Sequence, residues 1–131
     1  MFVKLRQMCQ NDNATLRIRT AEHGWLRPGA EGFGVHLGLE RMSLYQGPGE
    51  VVELWRLAKN SNISYEVKQG GIEILVLEGS LRTSAIDELS EKDLVRHDWV
   101  RLPAGKWLKV VSLEGCKLFV KRGHLPQQSV E

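Results

Sequence analysis

The sequence predicts an all-β barrel or sandwich, and three observations carry that expectation. Apolar residues recur with a period of two, the stretches that show it are short and regularly spaced, and Gly and Pro punctuate them. Residues 15–19 and 34–45 read as the first strands, separated by the loop Arg27-Pro28-Gly29-Ala30-Glu31-Gly32. Val51-Val52-Glu53-Leu54-Trp55-Arg56-Leu57 is the next, followed by the turn-prone Lys59-Asn60-Ser61-Asn62. The strongest runs over 72–78, rich in Ile, Leu and Val, with Gly70-Gly71 before it and Gly79-Ser80 after it. Further strands are expected over 81–84, 99–102, 107–112 and 117–121, with turns at Pro103-Ala104-Gly105 and Glu114-Gly115. The one helical candidate is 85–94, AIDELSEKDL, whose plainer reading is a solvated turn or helical connection.

Bulk properties restrict the function classes. A chain of 131 residues, 42% hydrophobic and 26% charged, fits one globular domain able to bury a core. The net charge is +2, and the 18 Lys and Arg are interspersed with 16 acidic residues, without the basic face that nucleic-acid binding requires. No apolar stretch approaches membrane length, and the first residues, MFVKLRQM, lack a signal-peptide layout, so a cytoplasmic location is expected. Cys9 and Cys116 form no CxxC pair, and Cys116 beside Leu118 and Val120 reads as a buried small hydrophobe.

One internal echo is present. Phe2-Val3-Lys4 recurs as Phe119-Val120-Lys121, each copy running into a basic-polar segment. That hints at an ancestral tandem of two barrels, with the chain beginning at the last strand of a missing first unit.

The runs GGIEILVLEG, WVRLPAG and EGCKLFVKRGHL resemble the ChrR-like cupins, small β-barrels related to the C-terminal domain of the ChrR anti-sigma factor. The resemblance covers residues 50–125, and the N-terminal third is similar to the linker and first strands of the second half of tandem members. It implies a cupin-type double-stranded β-helix, a jelly-roll barrel with additional N-terminal strands, as a single domain over 1–131. Within it, 1–49 holds the N-terminal strands and linker, 50–125 the barrel core and 126–131 a tail.

The family's first motif is a His-x-His pair, three or four residues, a Glu, six residues and a Gly. Counting back from Gly79 puts the glutamate position on Ile72 and the histidine positions on Glu66 and Lys68. The second motif sets a histidine three residues after the glycine of Pro-x-Gly, which is Leu108 here. A transition metal needs imidazole, thiolate or carboxylate donors, and Ile and Leu supply none. The resemblance therefore implies a barrel with no metal and no other cofactor, with Glu66, Lys68, Ile72 and Leu108 as ligand-pocket candidates. Ile72, Ile74 and Val76 should face inward together, with Leu108 and Val110 opposite. Glu66 and Lys68 form an ion pair near the mouth or are merely exposed in a shifted loop.

Leu75 and Leu77 then face out, as do Trp107, Val111 and Trp55, so a covering layer is expected. It is either the N-terminal segment or a second copy of the chain; the resemblance favours a homodimer. None of His23, His36, His97 and His124 has a close ligand or base partner in sequence, and His124 suits a backbone contact. No Gly-x-Ser-x-Gly, phosphate loop or dinucleotide fingerprint occurs.

Three functions compete. The first is a metal-free cupin that binds a small molecule or acts as a structural or regulatory module for a protein partner. The second is a dioxygenase- or isomerase-like cupin enzyme using non-standard residues, for which Glu66 is the one carboxylate expected inside the barrel. The third is anti-sigma regulation, for which clustered Cys and His in a zinc-binding half are missing. None of the three involves nucleic acid or a membrane.

Overall fold

The computed structural model describes residues 15–26, 38–85 and 92–126. Among these described residues nine strands follow one 3₁₀ turn at Thr20–Glu22: β1 Leu39–Gly47, β2 Glu50–Leu57, β3 Ser61–Glu66, β4 Ile72–Gly79, β5 Leu81–Ala85, β6 Lys92–Leu94, β7 Trp99–Leu102, β8 Trp107–Ser112 and β9 Cys116–Arg122. They form a five-stranded sheet, ordered β1-β2-β9-β4-β7, and a four-stranded sheet, ordered β3-β8-β5-β6. Every strand pair is antiparallel. The two inner faces enclose one core, which is the two-sheet arrangement the alternating pattern requires.

That alternation is direct in β4, where Ile72, Ile74 and Val76 are buried and Glu73 and Leu75 are not fully so. Leu108 and Val110 on β8 meet them from the opposite sheet, and Trp55, Leu57, Leu118 and Val120 complete the filling. Fully burying one such aliphatic side chain contributes about 1.5–3 kcal/mol, so these few residues dominate the fold's stability.

Four expectations are corrected. Trp55 is fully buried on the inward face of β2, because the register pairs it with Leu118 of β9 and sets it in phase with Leu57. Residues 85–94 do not form a continuous helix: Ala85 ends β5 and Lys92–Leu94 is β6, paired with it, while 86–91 lie outside the described residues. Residues 15–19 form no strand; the bridge between Leu26 and Arg41 is what ties this segment to β1. Finally, β3 begins at Ser61, inside the stretch expected to be a turn, because Ser61, Ile63 and Tyr65 alternate inward against β8. Residues 27–32, the Phe2-Val3-Lys4 echo and Cys9 lie outside the described residues.

Candidate functional site

At one end of the barrel three turns converge: Gly47 to Glu50 between β1 and β2, Lys68 to Gly71 between β3 and β4, and the chain leaving β9 at Arg122. They enclose a cavity of about 460 Å³, lined by Tyr65, Lys68, Gly70, Gly71, Arg122 and Leu125 among others. A second, larger and slightly more enclosed cavity of about 890 Å³ lies on the far side of the 69–71 turn, against Arg101, Pro103 and Ala104. Of these two, the first is the one lined by residues on the inward phase of the strands, Val51, Tyr65 and Arg122.

The four residues at the expected ligand positions separate into two pairs. Ile72 and Leu108 are each 1% exposed and belong to the core, where neither carries a donor atom. Glu66 and Lys68 share the outward face and form an ion pair at the mouth, where Lys68 lines the first cavity and its Nζ donates to Glu66 Oε1 at 2.6 Å. That hydrogen bond, reinforced by the carboxylate's charge, raises the Lys68 ammonium above its ordinary range. The inward pair on this segment is Tyr65 and Val67, both buried, which is where the four-residue form of the motif spacing lands. The physical cause is the core itself: Ile63, Tyr65 and Val67 are the apolar phase of β3, so Glu66 and Lys68 must take the other.

Behind Tyr65 lies a polar group that sequence reasoning did not find. Glu53 is 4% exposed, on the inward face of β2. Its Oε2 accepts from Arg41 Nη1 at 2.9 Å, and its Oε1 accepts from Trp55 Nε1 at 3.0 Å and Arg122 Nε at 3.3 Å. Arg122 Nη2 also stands 3.2 Å from Oε1. Arg122 Nη1 reaches Tyr65 Oη at 3.4 Å, and the Tyr65 ring packs edge-on against Trp55 at 5.7 Å. A carboxylate this deep is tolerated because several donors, two of them guanidinium groups, replace its water. The expectation that Glu66 is the one carboxylate inside the barrel is thus corrected to Glu53. Its signal was local and readable: Glu53 sits two and four residues before Trp55 and Leu57, on the apolar phase of β2.

Register fixes one further relation. Arg122 is the cross-strand neighbour of Ile72, so a guanidinium flanks the position where the resemblance implies a metal-binding glutamate. Among the described residues no three His, Cys, Asp or Glu side chains cluster closely enough to hold a metal ion. His124 does not join the cavity; its Nε2 lies 3.0 Å from Glu73 Oε1, and neither ring nitrogen makes a hydrogen bond among the described residues. The backbone on either side of it does the anchoring, Gly123 N to Gly71 O and Leu125 N to Gly70 O.

No family model matches the chain, and no curated protein matches it. Solved structures do. The polyketide cyclase RemF from Streptomyces resistomycificus is similar with a TM-score of 0.70 at 16% identity, over 90% of this chain and 87% of that one. KdgF from a Halomonas species gives 0.66 at 15% identity, over 85% and 94%. A cupin-superfamily protein from Desulfitobacterium hafniense gives 0.62 at 23% identity, over 83% and 97%. At such identities the likeness establishes the fold: the chain is an all-β cupin jelly roll.

Proposed function

We propose that this cupin-fold chain is a metal-free binding module, a ChrR-like barrel whose metal site has given way to a small-molecule site at the mouth beside Tyr65 and Arg122. The observation that carries the reading is the placement of Arg122. Its guanidinium is paired across the sheet with Ile72 and reaches Tyr65 Oη at 3.4 Å. A fixed positive charge there opposes a divalent cation, and Ile72, Leu108 and Val67 supply no donor to offset it.

Filling of the interior at Ile72 and Leu108 supports a scaffold role for the barrel centre, while the cavity above it supports binding at the rim. An isomerase-like enzyme would need a base within reach of a ligand. Glu53 is the carboxylate available, but its oxygens are committed to Arg41, Trp55 and Arg122, which suits holding those groups in place.

Metal analysis tests the reading. The purified protein, dialysed against Zn²⁺, Fe²⁺ or Mn²⁺ and measured by elemental analysis, is expected to retain none of them stoichiometrically. Calorimetric titration with each ion should give no saturable heat. Tight uptake of one ion per chain overturns the reading.

A further inference from the structure

We infer that the mouth cavity takes a small organic carboxylate, and that Arg122 is the residue that recognises it. This deepens the proposed binding role and rests on it.

Size comes first. A cavity of about 460 Å³ lies at the small end of the range that encloses organic ligands, so it suits a compact molecule. Charge comes next. Lys68 is balanced by Glu66, and Glu50 faces Lys121 at 3.6 Å. Arg122 and Arg41, however, share the single carboxylate of Glu53, which leaves positive charge in excess there. A cationic ligand therefore meets like charge on the inward side of the cavity.

Orientation is the decisive feature. Glu53 grips Arg122 from behind, by Nε at 3.3 Å and Nη2 at 3.2 Å. That leaves the guanidinium plane fixed, with Nη1 at the Tyr65 hydroxyl on the cavity wall. A guanidinium held in this way has already lost the rotamer freedom that binding would otherwise cost it. Nη1 is the nitrogen turned to the cavity wall, and its contact with Tyr65 is long at 3.4 Å. The partly buried setting strengthens a charge-assisted hydrogen bond from Nη1 to a carboxylate oxygen. Val51 and Leu125 supply apolar wall for a short hydrocarbon body, and the backbone of Gly70, Gly71 and Gly123 forms part of the rim. One recessed guanidinium with an apolar wall fits an organic monoanion better than inorganic phosphate, which gains nothing from that wall.

Four probes of related shape decide the matter: benzoate, benzamide, benzylammonium and inorganic phosphate, titrated into ¹⁵N-labelled full-length protein at neutral pH and constant ionic strength. Backbone signals of Gly70, Gly71 and Gly123 and the Trp55 indole signal are the readout. Benzoate is expected to bind about tenfold or more tightly than benzamide, the worth of one charge-assisted hydrogen bond. Benzylammonium and phosphate should leave those signals unmoved. In the Arg122→Gln variant the benzoate preference should fall to within about threefold, whereas a merely structural Arg122 would weaken both ligands together. Arg122→Lys keeps the charge without the planar guanidinium and should retain an intermediate preference. If Arg122→Gln fails to fold, the wild-type comparison still decides. Benzamide or phosphate binding at the mouth glycines as tightly as benzoate overturns the inference and leaves the binding module standing. If no probe moves those signals, both fall.

Discussion

Burial pushes the Cys116 thiol above its ordinary range, and a hydrogen bond with Ser112 offsets part of the shift. Because the folded value lies above the unfolded one, the associated stability is complete below the unfolded thiol's range. It is lost as the pH rises through the folded value. Only the thiolate reacts, so a buried thiol of this kind is slow toward disulfide reagents. In a Cys9→Ser background, Cys116 is expected to react with an aromatic disulfide about tenfold or more slowly than free cysteine at mildly alkaline pH. Urea should restore the full rate. A native-state rate equal to that of free cysteine would count against its burial. Glu53 is stabilised differently, by donors rather than by neutrality. Its partners come from residues 12 positions before it and 69 after it, as well as from nearby Trp55.

At the scale of elements, the turn that separates the two cavities is the sensitive one. Gly70 has φ +88°, and a Cβ added there would meet the Gly123 backbone at 2.3 Å. Gly105, in the β7–β8 turn, has a similar φ of +91° but open space around it. Gly105→Ala should therefore cost only the left-handed backbone penalty, about 1–2 kcal/mol. Gly70→Ala should cost more, about 3 kcal/mol or above, because the clash adds to that strain. Urea denaturation midpoints measure the difference, and equal losses would refute the packing argument. Strands with a clean apolar period were legible in sequence, and β7 and β8 fall within the expected limits. Two others were not. The outward residues of β3 are Asn62, Ser64 and Glu66, so its polar half read as a turn, and the charges of 85–94 imitated a short helix over β6. Of the mouth site, the motif spacing reached Lys68, which lines the cavity, whereas Ile72 and Leu108 belong to the core beneath it. Arg41 and Arg122 meet Glu53 only through pairing of β1 and β9 with β2, a register no local window contains.

Over the whole molecule, the outer face of the five-stranded sheet carries an apolar row. Register sets Trp99, Leu75, Phe119, Leu54 and Met42 side by side on β7, β4, β9, β2 and β1. At the β1 end Met42 and Leu54 are buried, and Trp25 lies on the same face with Arg56 4.2 Å above its ring. At the other end Trp99 is 54% exposed. The N-terminal segment thus supplies part of the cover, and a second copy is our proposal for the rest, since a row of this kind is costly to leave in water. Light scattering on the eluted protein is expected to give twice the chain mass, and Trp99→Lys should shift it toward the single-chain value. A wild-type monomer at high concentration would reject the dimer.

The order of strands in that sheet bears on how the chain acquires its shape. β9, the last of the described strands, stands between β2 and β4 at the sheet's centre. On the ribosome, β2 and β4 are finished well before the strand that joins them, and until then each presents an open edge and an uncovered apolar face. Closure must wait for residues 116–122 and then bridge long sequence separations, such as Val51 to Arg122. Arg122 belongs to that same strand, so the guanidinium reaches Glu53 and Tyr65 only as the sheet is completed. Until then Glu53 lacks one of its partners. The nascent barrel is therefore vulnerable to aggregation up to the moment Arg122 completes the mouth cavity.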